Sequence, residues 1–146
     1  MAATENLRPI GRRTRVGIAA VTVLGVLGCC AGFGFAGSRV EAAPGADPDN
    51  GKKLFDQCAA CHSLGEPGDF EGPTLKGVIG RKAGSLEDYR YSAAMKRSGV
   101  TWDAASLDKY ITDPQAFISG NRMAFAGIAD KSQRDDLIAY LAAATR

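Results

Sequence analysis

One histidine, His62, and one tryptophan, Trp102, occur among the 146 residues of this sequence. A single histidine excludes bis-histidine ligation of a metal within one chain. It also leaves a four-ligand zinc site short of members. The four cysteines fall as two close pairs, and the first, Cys29 and Cys30, lies in an apolar run near the N-terminus. No βαβ pattern surrounds the second pair, Cys58 and Cys61, so a thioredoxin-like dithiol has no context. Positive charge is scarce where a fold is expected. Residues 1–15 hold four arginines against Glu5, whereas from Ser38 onward 14 Lys/Arg face 15 Asp/Glu. That later stretch is net −1 and carries no basic cluster for nucleic acid. The length leaves room for one domain of about 100 residues plus a further segment.

What is present centres on Cys58-Ala59-Ala60-Cys61-His62. This is Cys-x-x-Cys-His, the attachment pattern of c-type haem. Two thiols three positions apart, on about one helical turn, can each add to one porphyrin vinyl group. The histidine after the second cysteine then lies under the iron. A plain disulfide would leave His62 unexplained. Haem-reactive thiols also point to a compartment such as a bacterial periplasm.

Haem iron in electron carriers often takes methionine as its other axial ligand. Of the three methionines, Met1 begins the leader, Met95 lies in Tyr-Ser-Ala-Ala-Met-Lys, and Met123 lies in Ser-Gly-Asn-Arg-Met-Ala-Phe. Any methionine can be core filler. Gly120 and Asn121 ahead of Met123 make a loop able to approach a flat cofactor closely. Met123 is the expected ligand, and Met95 is the alternative.

The leader divides into a basic stretch, residues 1–15, an uncharged run, residues 16–36, and a linker, residues 37–48. The run is long enough to span a bilayer, and the arginines before it keep the N-terminus cytoplasmic. Its five glycines dilute its hydrophobicity. Val40-Glu41-Ala42 offers a cleavage site, so a cleaved signal peptide competes with an uncleaved signal anchor. The anchor is the expectation. Lipidation at Cys29 and a twin-arginine reading of Arg12-Arg13 are weaker alternatives, as is a packing face at Gly28 and Gly32. A retained anchor would confine the following domain within about 40 Å of the membrane.

Helical signals flank the domain. Asp47 or Asp49 can cap a helix running through Gly51, Leu54 and Phe55 to the cysteines. Asp103 to Thr112 reads as a helix stopped by Asp113-Pro114. The last helix has Ser132 as its expected N-cap, with Asp135 three positions on, and then Leu137, Ile138, Tyr140 and Leu141 at helical spacing. Turn signals fill the space between, at Glu66-Pro67-Gly68-Asp69 and Glu71-Gly72-Pro73.

Residues 49–146 closely resemble the class I, mitochondrial-like cytochrome c family, here in a membrane-anchored bacterial form. The resemblance rests on the pentapeptide, on Gly72-Pro73-Thr74-Leu75-Lys76-Gly77-Val78-Ile79-Gly80-Arg81, and on the methionine loop, where Ser119 replaces the family's usual proline. It implies an all-α cytochrome c fold of about four or five helices around one covalent haem, preceded by one transmembrane helix. It implies close crossing of the terminal helices, with Gly51 and Phe55 meeting Leu137 and Tyr140. It implies that Cys58 and Cys61 hold the haem, that His62 and Met123 bind the iron, and that the Pro73 carbonyl orients His62. Arg81, Tyr91 and Trp102 would serve the propionates, with Tyr110 and Asn121 near Met123. The plainer readings are a solvated loop cation for Arg81 and aromatic core for Tyr91 and Trp102.

The family's lysine ring is thinned here. Gln57, Gln115, Ala116, Ala129 and Asp130 are neutral or acidic at matching positions, while Lys53, Lys82, Arg122 and Lys131 remain. Weaker steering fits a carrier tethered to its partners. The resemblance implies a one-electron carrier, not an enzyme, between a cytochrome bc complex and a haem–copper oxidase, bound to the bacterial inner membrane with its haem domain in the periplasm. A soluble periplasmic carrier is one alternative. A haem-based sensor or peroxidase-like enzyme is another, should Met123 not bind the iron.

Overall fold

The computed structural model describes residues 43–146. The expectations for residues 1–15 and 16–36, for Cys29 and Cys30, and for the first part of the linker lie outside these residues. The described chain forms α1 (Pro48–Leu54), α2 (Asp56–Ala59), α3 (Ala93–Arg97), α4 (Ala104–Thr112), α5 (Pro114–Phe117) and α6 (Lys131–Ala144). Among the described residues there is no strand, only an isolated antiparallel bridge between Lys82 and Thr101. None of the described helices is long and apolar enough to cross a membrane.

Local chemistry sets each helix start. The Asp47 carboxylate accepts from the backbone N–H groups of Asp49 and Asn50, and Pro48 occupies the first turn, where its missing N–H costs nothing. The expected continuous helix to the cysteines is instead broken at Phe55. There the chain tightens, with Cys58 N–H donating to the Phe55 carbonyl at 2.8 Å, so α1 and α2 are separate turns of one path. Asp103 caps α4 reciprocally with Ser106. Asp113, extended ahead of Pro114, ends α4 and caps α5 in turn.

The cap of α6 differs from expectation. Asp130, not Ser132, accepts from the backbone N–H groups of Ser132 and Gln133. The reason is long-range. Arg134, buried on α6, donates to the carbonyls of Ile128 and Ala129 and to Asp108 on α4 at 2.7 Å. That grip brings the incoming chain onto the helix axis early, which places Asp130 at the cap.

α1 and α6 cross closely. A Cβ on Gly51 would lie 2.0 Å from the Asp136 carbonyl oxygen and 2.9 Å from the Tyr140 Cβ. Only glycine permits that approach. Phe55 and Tyr140 pack ring to ring at 5.7 Å. Leu137, 1% exposed, joins Phe55 in the core, and truncating such a leucine costs about 2–5 kcal/mol. The expected contact of Gly51 and Phe55 with this face of α6 is therefore present. Asp136 adds a polar clasp, accepting from the Asp47 backbone N–H and the Asn50 side chain, both at 2.7 Å.

Candidate functional site

One cavity gathers most of the residues singled out in the sequence. Cys58, Cys61, His62, Pro73, Arg81, Tyr91, Trp102, Tyr110 and Met123 all line it, together with apolar groups such as Leu75, Val78 and Leu137. Asn121 is buried behind the wall that Met123 forms. Met95, the alternative ligand, also lines the cavity but is packed into the core from α3.

The cysteine side is built by α2. Cys58 is half-buried and Cys61 exposed. Burial, and secondarily the neighbouring Cys61, push the Cys58 pKa up to about 11, which keeps that thiol protonated. His62 follows, with Nδ1 2.7 Å from the Pro73 carbonyl oxygen. A carbonyl only accepts, so Nδ1 carries the proton and Nε2 keeps its lone pair for a metal. Burial lowers the His62 pKa, against the opposing pull of the Pro73 bond. The ring is therefore held neutral, the form a metal needs.

Gly72 completes this side. A Cβ there would sit 2.5 Å from the imidazole Cε1 and 2.7 Å from Nδ1. The sequence marks Gly72 as a turn signal and as the first residue of the Gly-Pro loop motif, without tying it to His62. Its place just before a proline whose carbonyl meets a histidine was the available clue.

Arg81 lies behind the same loop. Its guanidinium donates to the carbonyls of Thr74 and Lys76, each at 2.8 Å. It is thus a brace for the segment after Pro73 rather than a solvated cation, with further N–H groups left over. Burial lowers its pKa from the usual value, while Tyr91 and Asp88 act the other way. Trp102 is buried and packs at a tilt against Tyr110, with ring centroids 5.0 Å apart.

The methionine side is organised by Asn121. Its side-chain NH₂ donates to the carbonyls of Pro114 at 2.7 Å and Ile118 at 2.9 Å. Its side-chain oxygen accepts from the Met123 backbone N–H at 2.8 Å and from the Tyr110 hydroxyl at 3.3 Å. All four bonds of the amide are used. Burial pushes the Tyr110 pKa up to about 12, so its hydroxyl remains a donor. Gln115 reaches over from α5 to the carbonyls of Asn121 and Met123 at 3.3 and 3.5 Å. Sequence reasoning read Gln115 only as a lost cation, and nothing local marked it otherwise.

These features fit an iron porphyrin. Two thiols stand beside an imidazole with a free nitrogen, and a thioether lines the same cavity, whose walls are largely apolar. The Tyr91 hydroxyl and Trp102 indole line it with no hydrogen bond to another described residue, and so are available to carboxylates.

Comparison with known proteins agrees. The family model for cytochrome c matches residues 48–145. The chain is 50% identical to cytochrome c2 of Rhodoblastus acidophilus over 97 residues, covering 65% of this chain and 90% of that protein. It is 43% identical to cytochrome c2 of Blastochloris viridis over 113 residues, covering 75% and 88%. Among solved structures, cytochrome cH from Methylobacterium extorquens superposes with a TM-score of 0.62 at 46% identity, covering 66% of this chain and 97% of that one. The chain belongs to the cytochrome c family and carries one covalent haem c through Cys58 and Cys61.

Proposed function

We propose that this protein is a one-electron carrier of a respiratory chain, with His62 and Met123 as the axial ligands. The observation that carries this reading is that both side chains line the cavity bearing Cys58 and Cys61. The haem, when bound, supplies a reversible ferric–ferrous couple. The chain's own residues do the rest. Pro73 fixes the imidazole tautomer, Asn121 fixes the backbone of Met123, and the apolar walls exclude water. With both ligands in place no open iron position remains for a substrate, which argues against bond-making catalysis. Arg81, Tyr91 and Trp102 are assigned to the propionates, and Tyr110 and Asn121 to the methionine side.

Residues 49–146 are the haem domain, 37–48 a linker, 16–36 an uncleaved anchor and 1–15 a cytoplasmic basic stretch. The domain would face the periplasm from the inner membrane, taking electrons from a cytochrome bc complex and giving them to a haem–copper oxidase. The thinned lysine ring supports tethering over free diffusion.

Met123→Ala tests the ligand. It should abolish the methionine–iron absorption of the ferric protein and let the ferrous protein bind carbon monoxide. Unchanged spectra would remove Met123 from the iron, and loss only in Met95→Ala would move the role there. Haem stain at full-length mass in the membrane fraction supports the anchor. Haem at trimmed mass in the soluble fraction would replace it with a freely diffusing periplasmic carrier.

A further inference from the structure

The segment Tyr89-Arg90-Tyr91 carries no element of secondary structure, yet it is tied at both ends. The Tyr89 hydroxyl donates to the Glu71 carbonyl at 2.7 Å. Glu71 immediately precedes Gly72 and Pro73, the two residues that confine the His62 ring. On the other side, the Arg122 guanidinium donates to the Arg90 carbonyl at 2.5 Å. Arg122 immediately precedes Met123. Between these ties the segment is stiffened by its own contacts. Tyr89 and Tyr91 pack edge to face at 4.8 Å, and the Tyr91 N–H donates to the Tyr89 carbonyl at 3.1 Å. All of these residues line the cavity.

We propose that residues 89–91 form a clasp that couples the histidine-bearing and methionine-bearing loops, with Tyr89 and Arg122 as positioning residues. This rests on the reading of Met123 as a ligand. The physical case concerns the methionine side. A thioether offers no strong hydrogen-bonding group of its own, so its position depends on how its backbone is held. Asn121 and Gln115 hold that backbone from within the same loop and from α5. Arg122 alone of these carries a tie to the segment that also reaches the histidine side. A disturbance on one side can therefore reach the other through three residues.

The test uses the full-length holoprotein and two readouts in a mild denaturant series. The methionine–iron absorption reports ligand release, and far-ultraviolet circular dichroism reports loss of the helices. Arg122→Gln should raise the equilibrium constant for methionine release about fivefold, as the loss of one hydrogen bond would, with the helix transition little moved. Arg122→Lys, which can still donate to the Arg90 carbonyl, should recover most of the effect. Tyr89→Phe should raise the same constant about threefold, although it lies on the histidine side. In the double variant Tyr89→Phe/Arg122→Gln the increase should fall well short of the product of the two, because a segment released at one end no longer holds the other.

An unchanged constant in Arg122→Gln, a strictly multiplicative double variant, or parallel shifts of both readouts would each overturn the clasp. A wild-type protein lacking the methionine–iron absorption would overturn the ligand assignment and the clasp with it. A wild-type absorption that neither variant weakens would remove the clasp alone.

Discussion

His62 and Met123 line one cavity but are held by different means. The imidazole has a proton to give, and one backbone carbonyl, that of Pro73, sets its orientation at 2.7 Å. Gly72 closes in on the ring face, leaving it little room to turn. The thioether has no such handle. Its loop is held instead by a buried amide with every bond used, by Gln115, and by the backbone bond from Ile128 to the Ile111 carbonyl at 2.9 Å. On the proposed ligation, the imidazole is aimed directly through its hydrogen-bonding group. The thioether is aimed by fixing its backbone, which takes more residues, each contributing less.

That contrast can be broken most sharply at Gly72. Gly72→Ala drives a methyl group into the imidazole, and nearby Cys61 backbone prevents easy relief. Denaturant midpoints of the holoprotein should show a loss of about 3 kcal/mol, with altered low-spin absorption. A wild-type midpoint would mean that the His62 ring is not confined as described. Next comes Asn121→Ala, which takes one of two donors from each of the Pro114 and Ile118 carbonyls and leaves the Met123 N–H and the Tyr110 hydroxyl without their partner. We expect a loss of about 2 kcal/mol and release of the methionine at lower denaturant than the histidine. Simultaneous loss of both ligands would erase the distinction between the two sides. Gln115→Ala removes two long, partly exposed bonds and should cost about 0.5 kcal/mol. A cost equal to that of Asn121→Ala would show that holding is shared evenly.

A control outside both loops completes the series. Asp136 has its pKa lowered from the usual 3.8, first by the Asn50 side chain and then by the Asp47 N–H. The folded protein therefore binds that proton less readily than the unfolded chain. Its contribution is present above the ordinary aspartate range and is lost as pH falls through the folded value. Asp136→Asn should flatten the acid side of the curve of Tm against pH below about pH 4, leaving the haem spectrum at pH 7 unchanged. An acid side identical to wild type would remove Asp136 from the α1–α6 clasp.

The site was more legible in the sequence than its supports were. Cys58, Cys61 and His62 are readable because their chemistry depends on spacing within one turn, which the chain itself states. Pro73 needed the resemblance, since its partner lies elsewhere in the chain, and Met123 drew on both the resemblance and its Gly120-Asn121 loop. Gln115, Arg122 and Tyr89 act through backbone carbonyls, which any residue possesses, so no pattern of side chains announces them. The cap of α6 shows the same limit. Asp130 and Ser132 are both good caps by type, and the choice falls to Arg134, whose grip on Asp108 spans α4 and α6. Helices α1 and α4, by contrast, carry their start signals within a few residues; α4 matches its expected range, whereas α1 matches at its start and stops at Phe55, short of the cysteines.

The crossing at Gly51 also bears on the order in which the domain is made. α1 comes first among the described helices and α6 last, and seven residues of helix do not persist alone in water. As the chain is synthesised from its N-terminus, α1 has nothing to pack on until Asp136 and Tyr140 emerge. Throughout that interval the Cys58–Cys61 turn that follows α1 stands in unfinished chain. The element that completes the core is thus also the one that fixes the turn carrying Cys58 and Cys61, the second of which stays exposed afterwards.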